Sequence, residues 1–229
     1  MNYQRNRFWE QLSPPDQERL VAAGRIAQFG AGTTICRQGD PATHLFVVIS
    51  GLIKVITVSR SGQQSVLALR GSGDVVGELA GELTGYRTAS MVAVTQVRAV
   101  VVGHEKFLAF LDGHLPAAHA YRRMITQRFS DTADSLYAQS TTSGAQRLAQ
   151  LLLDLAEKYG EPAGPGQALV LTLPLSQEEL ASLASASRAT VTRALHAWRG
   201  RGLIQTRTRR ITITDPDALR RLGGRAADR

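Results

Sequence analysis

The region from Ile26 to Val102 is divided into short apolar, β-branched runs by glycine, serine and aspartate, and this pattern limits the possible folds more than any other feature. Runs this short are typical of β-strands, and the closely spaced turn residues fold each strand back on its neighbour. The pattern predicts an all-β sandwich or jelly roll, which we call the β-roll. The individual runs are residues 33–35, 45–49, 53–58, 65–69, 89–94 and 97–102.

Helical patterns flank the strands. Ser13 followed by two prolines predicts a helical region over residues 8–24, and residues 105–111 predict a short second helix. Residues 117–139 carry apolar side chains at i, i+3, i+4 and i+7 spacing and predict one long helix. At about 1.5 Å per residue this helix is longer than a small β-roll can cover, so we expect a second copy to pack against it in a symmetric dimer.

The polar run Ser140-Thr141-Thr142-Ser143-Gly144 follows the long helix and is interpreted as a hinge. Beyond it, the pattern predicts an amphipathic helix over 145–159, a loop over 160–166 and a strand over 169–173. The expected fold class is α+β. The expected domains are a β-roll over residues 1–113, a long dimerisation helix over 114–139, the hinge over 140–144 and a second domain over 145–229.

Residues 174–213 predict a helix-turn-helix followed by a hairpin. Ser176 with Glu179 three residues later forms a capping box at the start of one short helix. Ser187 can cap the next helix, residues 188–199, after a tight turn, and two short helices joined in this way are typical of a helix-turn-helix. The following strands, interrupted by a basic turn at 206–210, predict a β-hairpin wing.

Positive charge is concentrated on this second domain. The chain carries a net charge of +8, and between Arg188 and Arg210 there are seven arginines and no acidic residue. An inert basic surface would explain the charge alone, but not its coincidence with a capped helix pair and a wing. The first turns of a recognition helix reach base edges, and guanidinium groups bind phosphates. The candidate DNA-contacting residues are Ser187, Arg188, Thr190, Thr192, Arg193, Arg207 and Arg209.

Several classes of protein are excluded on composition. The single cysteine, Cys36, cannot form an intramolecular disulfide and argues against an iron–sulfur cluster or cysteine-ligated metal, so we expect it to fill space in a strand. Neither a nucleophile–base pair nor a metal-ligand set is found, which argues against an enzyme. No apolar stretch approaches the roughly 20 residues that cross a bilayer, and no signal peptide is recognisable, so we expect a cytoplasmic protein without a membrane partner.

One stretch interrupts the strand pattern and has the composition of a ligand site. Gly77-Glu78-Leu79 stands at one end and Arg87-Thr88-Ala89 at the other. Glu78 could accept hydrogen bonds from sugar hydroxyls, and Arg87 could pair with a phosphate through two parallel bonds. We call residues 77–89 the cassette, and we expect it to hold a small phosphate-bearing ligand.

In its order of parts and in the cassette, the chain resembles the cyclic-AMP receptor protein/fumarate-nitrate regulator (Crp/Fnr) family of bacterial transcription regulators. The resemblance implies that Glu78 binds the ribose hydroxyl, while Arg87 and Thr88 bind the cyclic phosphate. It also implies that Arg128 supports Glu78 and that Thr132 reads the adenine amino group. The expected nucleotide-binding residues are Gly77, Glu78, Leu79, Arg87, Thr88, Arg128 and Thr132.

The chain departs from the family pattern at three positions. Ala133 replaces a serine that reaches across the dimer, Ala189 replaces an acidic residue of the recognition helix, and Ser185 replaces a frequent turn glycine. One cysteine cannot supply the cluster of the oxygen-sensing branch, and the five histidines show no haem-ligand spacing. No metal, haem or iron–sulfur cluster is therefore expected.

Together these features predict a homodimeric DNA-binding transcription regulator controlled allosterically by a cyclic nucleotide. Cyclic AMP is the first candidate and cyclic GMP the second. The expected partners are a double-stranded DNA operator, a second copy of the chain and, by resemblance, RNA polymerase. One alternative is a regulator that binds DNA without a nucleotide or with another small effector. Another is a nucleotide-binding subunit that controls a partner enzyme, which the helix-turn-helix disfavours.

Overall fold

The computed structural model describes residues 7–59, 62–79, 85–163 and 168–224. The chain is divided into two units, Met1–Asp131 and Thr132–Arg229. This division falls inside one continuous helix, Leu115–Thr141. The first domain was predicted to end at residue 113, close to the point where that helix begins. The first unit extends beyond this residue because the first half of the helix packs into its core.

The first unit contains two antiparallel four-stranded sheets, in the orders β1-β8-β3-β6 and β2-β7-β4-β5. This arrangement confirms the predicted β-roll and the α+β class. The sequence pattern had not delimited β1 or the two-residue strand β6. The strands are β1 (Arg25–Phe29), β2 (Thr34–Cys36), β3 (His44–Ser50), β4 (Leu52–Val58), β5 (Gln64–Gly71), β6 (Val75–Val76), β7 (Ser90–Ala93) and β8 (Val97–Gly103).

Alternation along β3 explains how the sheets are covered on both sides. Phe46 and Val48 point between the two sheets, into a core shared with Ile53 and Met91. Leu45 and Val47 point to the opposite face, where helices cover them. Successive strand residues face opposite sides, so a strand buried on both sides reads as one continuous apolar run.

Helices cover the outer face of the sheet that contains β3. Ser13 caps α1 by accepting a hydrogen bond from the Asp16 amide, as its position before two prolines predicted. Leu20, Phe107 and Met124 pack from three successive helices onto this face. The helices of this unit are a 3₁₀ turn (Trp9–Gln11), α1 (Pro14–Ala23), α2 (His104–Gly113) and the long helix α3 (Leu115–Thr141).

The second unit is a winged helix-turn-helix, as predicted. Its sheet has the order β11-β12-β10-β9. Leu148, Leu152 and Trp198 are buried in its core. Its elements are α4 (Gly144–Tyr159), β9 (Glu161–Pro162), β10 (Leu169–Leu171), α5 (Gln177–Leu183), α6 (Arg188–Gly200), β11 (Ile204–Arg207), β12 (Arg210–Ile213) and α7 (Pro216–Leu222).

The predicted hinge over residues 140–144 is wrong in extent. Helix α3 continues to Thr141 and α4 begins at Gly144, which leaves only residues 142–143 between them. Two of the hydroxyl groups that suggested flexibility instead bond back to the last turn of α3: Ser140 and Thr141 donate to the Tyr137 carbonyl, at 2.8 and 2.9 Å. Ser143 forms a capping box with Gln146 at the start of α4.

Two further predictions need correction around β10. The predicted strand over 169–173 ends at Leu171, and the predicted loop over 160–166 begins with the short strand β9. Residues 164–167 of that loop lie outside the described residues.

Cys36 lies half-buried in β2, where it was expected to fill space. Burial raises the pKa of its thiol, which disfavours the thiolate form at neutral pH.

Candidate functional site

The first end of the cassette follows β6 directly. Gly77 has a φ of +91°, and the backbone then enters helical geometry at Glu78 and Leu79. Glu78 is 5% exposed, whereas Leu79 is exposed at the surface. Residues 80–84 lie outside the described residues.

Arg87, at the other end of the cassette, is folded inward and is only 2% exposed. Its Nη2 donates to the His44 carbonyl at 2.7 Å, and its Nη1 donates to the Gly77 carbonyl at 3.3 Å. The guanidinium carbon lies 5.4 Å from the centre of the Phe46 ring. Within the described part of the chain, the buried Nε of Arg87 has no hydrogen-bond partner. An unpaired donor on a buried cation favours an anion as its ligand.

Arg128 of α3 binds Glu78, as the resemblance implied. Its Nη1 lies 2.6 Å from Glu78 Oε1. Its Nη2 lies 3.0 Å from Asp74 Oδ1 and donates to the Val75 carbonyl at 2.8 Å. The side chain of Arg128 is 18% exposed, so a guanidinium and two carboxylates meet largely out of water. Such charge-assisted bonds are strong and directional, and they fix the Glu78 carboxylate in one orientation.

The remaining predicted ligand residues lie on more open surface. Thr88 is exposed beside Arg87, and Thr132 is exposed on α3 one turn after Arg128. The described contacts therefore bring together Gly77, Glu78, Arg87 and Arg128 but leave the roles of Leu79, Thr88 and Thr132 as predictions.

Two contributors were missed from the sequence. Asp74 is not among the predicted site residues, although its position just before β6 places an acidic side chain beside the cassette. The carbonyl of His44 carries no signal in its residue type. Burial, followed by the charges of Arg87 and Arg25, lowers the pKa of the His44 side chain below its ordinary value of 6.5.

The helix-turn-helix has the caps and turn that the sequence predicted. Ser176 and Glu179 form the capping box of α5, and Ser187 caps α6 by accepting from the Thr190 amide at 3.1 Å. Between the helices, Ser185 has a φ of +48°. This left-handed conformation explains why glycine is favoured at such a position.

One face of α6 is buried and the other is exposed. Val191, Leu195 and Trp198 are buried against the rest of the unit. Arg188 and Arg193 are exposed, and the Nε of Arg188 lies 3.7 Å from Glu178 Oε2 in an open ion pair.

The hydroxyl residues of α6 differ in their surroundings. Thr190 is half-buried, and its hydroxyl lies 2.9 Å from Ser187 Oγ. Thr192 is exposed and donates to Gln177 Oε1 at 2.6 Å. A base contact by Thr192 would therefore require it to exchange the Gln177 bond.

The wing presents its arginines to solvent. Arg207 pairs with Arg210 across the hairpin, and Arg209 has a φ of +58° at the turn. All three side chains are exposed. Together with Arg199 they line a cavity of about 310 Å³ between the wing and helices α5 and α6. This concentration of guanidinium groups suits a polyanion.

Neither a metal-ion cluster nor a membrane-spanning helix is found among the described residues. In the ranges described, no cluster of three or more His, Cys, Asp or Glu side chains could hold a metal ion. No helix among those same residues combines the length and apolarity of a membrane span.

Both units match known domain families. Residues 26–114 match the cyclic nucleotide-binding domain, and residues 146–222 match the Crp-like helix-turn-helix domain. The two matches thus fall on the β-roll with its cassette and on the winged helix-turn-helix.

Relatives match along nearly the whole chain. The CRP-like cAMP-activated global transcriptional regulator of Mycobacterium tuberculosis is 32% identical over 93% of this chain and 95% of that protein. The global nitrogen regulator of Synechococcus elongatus is 31% identical over 85% of this chain and 88% of that protein. The solved structure of the c-di-GMP-responsive global regulator CLP of Xanthomonas campestris has a TM-score of 0.71 at 25% identity, covering 88% of this chain and 99% of that chain.

The sequence identity, the two domain matches and the fold agree with the resemblance carried by the cassette and the helix-turn-helix. The chain belongs to the Crp/Fnr family, whose members are transcription regulators rather than enzymes.

Proposed function

We propose that this protein is a homodimeric, DNA-binding transcription regulator whose DNA affinity is controlled by cyclic AMP bound in the cassette. The observation that carries the proposal is the buried Nε of Arg87, which has no partner in the described part of the chain. It lies beside Gly77, whose carbonyl the same guanidinium already contacts. A cyclic phosphate would supply the missing acceptor in a site with little water to compete.

Each remaining cassette group has a role that its surroundings support. Arg128 occupies one oxygen of the Glu78 carboxylate, and the other can accept a ribose hydroxyl. The backbone of Gly77 and Leu79 and the exposed hydroxyl of Thr88 complete the site around the phosphate and sugar. Thr132 contacts the base.

The identity of the effector is inferred from similarity. The M. tuberculosis relative is named as cAMP-activated, and the CLP structure is titled c-di-GMP-responsive. The cassette provides for one sugar and one phosphate, which favours a cyclic mononucleotide. Cyclic GMP is the second choice because Thr132 alone gives little discrimination between bases.

The bond between Glu78 and Arg128 supplies a route from the ligand to α3. A nucleotide that shares the Glu78 carboxylate changes the ion pair that holds Arg128 and hence α3. The nucleotide favours DNA binding by the difference in its affinity for the two arrangements of this helix.

A second copy of the chain covers the exposed stripe on α3. Phe129, Leu136 and Tyr137 are 77%, 62% and 71% exposed and recur at helical spacing. Large apolar side chains in a row on one helix are typical of a helix–helix interface. In the dimer, two α6 helices enter successive major grooves about 34 Å apart, and the wing arginines bind phosphates. The remaining partner is RNA polymerase, and the protein acts in the cytoplasm, where its operators lie.

Calorimetric titration with cyclic AMP, cyclic GMP and cyclic di-GMP tests the nucleotide site. We expect cyclic AMP to bind and the Arg87→Leu variant to give no binding heat while its circular dichroism stays unchanged. Arg98→Leu, an exposed arginine of β8, is the matched control and should bind as the unaltered protein does. Failure of the unaltered protein to bind any of the three would leave a regulator without nucleotide control.

In a mobility shift, Arg193→Ala should weaken operator binding.

A further inference from the structure

Arg147, in the first turn of α4, donates hydrogen bonds to both neighbouring helix ends. Its Nε donates to the Ala184 carbonyl at 2.9 Å, and its Nη2 donates to the Ser185 carbonyl at 2.7 Å. Its Nη1 donates to the Thr142 carbonyl and, at 3.5 Å, to the Ala138 carbonyl. One side chain therefore connects the end of α3 with the turn of the helix-turn-helix.

These acceptors are carbonyls at or beside helix ends, and the Ala138 carbonyl also accepts from the Thr142 amide and hydroxyl. Ala138 lies in the last turn of α3, Thr142 follows that helix, and Ala184 is the C-cap of α5. Carbonyls at helix ends carry partial negative charge, which a guanidinium complements. Arginine presents five donors in one plane and can serve two helix ends at once, whereas the three donors of lysine share a single nitrogen.

The first residue of α4 approaches the same turn closely. A Cβ on Gly144 would lie 2.9 Å from Ala186 Cβ and 3.3 Å from Thr190 Cγ2. Ala186 belongs to the turn, and Thr190 belongs to the first turn of α6. The start of α4 therefore lies close to both the turn and the first turn of α6, with little space for a side chain at Gly144.

We propose that Arg147 is the positioning residue through which the end of α3 directs the recognition helix α6. The proposal rests on the proposed function, because it names how a nucleotide-driven change in α3 is passed on. In place of the predicted hinge, a chain of contacts runs from the end of α3 through Arg147 to the turn at Ser185, and from there through the Ser187 cap to α6. Because one guanidinium bonds to both helix ends, a movement of one end is passed to the other.

Hydrogen exchange without nucleotide tests the link directly. In Arg147→Gln, amides in residues 136–143 and in residues 182–190 should both exchange at least about fivefold faster than in the unaltered protein. Arg221→Gln removes one positive charge from the same unit at an exposed position of α7 and should change neither segment. Faster exchange in only one segment, or in neither, would overturn the proposal. Should Arg147→Gln fail to fold, Arg147→Lys replaces it in the experiment. This variant keeps the positive charge but loses the planar set of donors, and both segments should again exchange faster.

DNA affinity with and without cyclic AMP separates positioning from simple stabilisation. If Arg147 only stabilised the unit, its loss would lower both affinities by the same factor. We expect instead that the ratio of the two affinities falls at least about fivefold in Arg147→Gln, within the usual range of allosteric coupling. Arg221→Gln should preserve the ratio. A ratio of one in the unaltered protein would contradict the proposed function, and the exchange experiment would then decide the inference alone.

Discussion

At the scale of single residues, the position of the Arg87 guanidinium depends on the absence of a side chain at Gly77. Gly77 has a φ of +91°, and a Cβ there would lie 2.4 Å from Arg87 Nη1 and 3.1 Å from Met91 Cε. Only glycine combines this backbone conformation with room for the guanidinium. The glycine is therefore needed to seat the arginine, in addition to forming the turn.

Gly77→Ala should displace the guanidinium and weaken cyclic AMP binding by about tenfold or more, the usual cost of a lost charge-assisted hydrogen bond. Gly32→Ala is the matched control, because Gly32 has a φ of +82° with no atom near its Cβ position. Calorimetry on both variants measures the difference. Equal affinity losses would mean that backbone strain, and not the arginine, is responsible.

Protonation of the His44 ring should lower the stability of the folded protein as the pH falls. Burial and then the Arg87 charge hold its pKa below 6.5, so the fold prefers the neutral ring. Below pH 6.5 the unfolded chain binds this proton more readily than the fold does, and stability decreases as the pH falls through the folded pKa. Above pH 6.5 this contribution is constant.

Thermal melts between about pH 7.5 and about pH 5.5 should therefore show a smaller loss of Tm in His44→Gln than in the unaltered protein. His196→Gln, on the exposed face of α6, should retain the full loss. Identical pH profiles for the two variants would remove His44 from this account.

Residue types predicted part of the site and could not predict the rest. The residue types of the cassette suggested Glu78 and Arg87, the family resemblance implied that Arg128 supports Glu78, and the structure places the Glu78–Arg128 pair at 2.6 Å. The His44 carbonyl could not be foreseen, because every residue has one and only strand pairing brings this one to Arg87. Asp74 could have been inferred only from lying three residues before Gly77, because β6 itself was not predicted.

At the scale of elements, caps and periodicity predicted the helices well. Ser13, Ser176 and Ser187 each accept a backbone amide at a helix start, as predicted. The same reasoning failed at residues 140–144, where a polar run was interpreted as a hinge although Ser140 and Thr141 belong to α3 and Ser143 caps α4. The order of strands within each sheet was not predictable, because long-range pairings leave no local signal in the sequence.

Ser185 occupies a position in the helix-turn-helix turn where the backbone conformation favours glycine. Its φ of +48° costs an L-residue roughly 1–2 kcal/mol, partly offset by the greater freedom of glycine in the unfolded chain. Ser185→Gly should therefore stabilise the protein by up to about 1 kcal/mol and keep the carbonyl that Arg147 contacts. Ser182→Gly, inside α5, should destabilise it by about 0.5–1 kcal/mol. Urea melts compare the two, and a loss of stability in Ser185→Gly would contradict the argument.

At the scale of the whole molecule, the proposed dimer would bring two recognition helices onto one DNA duplex. The exposed stripe of Phe129, Leu136 and Tyr137 on α3 is the surface that a second copy would cover. Leu136→Glu should place a charge in that interface and shift the sedimenting species to the mass of one chain. Leu67→Glu is the control, because Leu67 is also exposed, at 58%, but lies on β5. A monomeric unaltered protein, or a dimeric Leu136→Glu, would contradict this assignment.

The central claim is that a nucleotide in the cassette changes DNA affinity, and one measurement tests it most directly. Duplexes selected by the protein from a random pool, with and without cyclic AMP, are labelled and titrated under both conditions by fluorescence anisotropy. The account predicts that saturating cyclic AMP tightens DNA binding by about 5- to 150-fold, the range of ordinary allosteric coupling. Equal affinity in the presence and absence of cyclic AMP would contradict it.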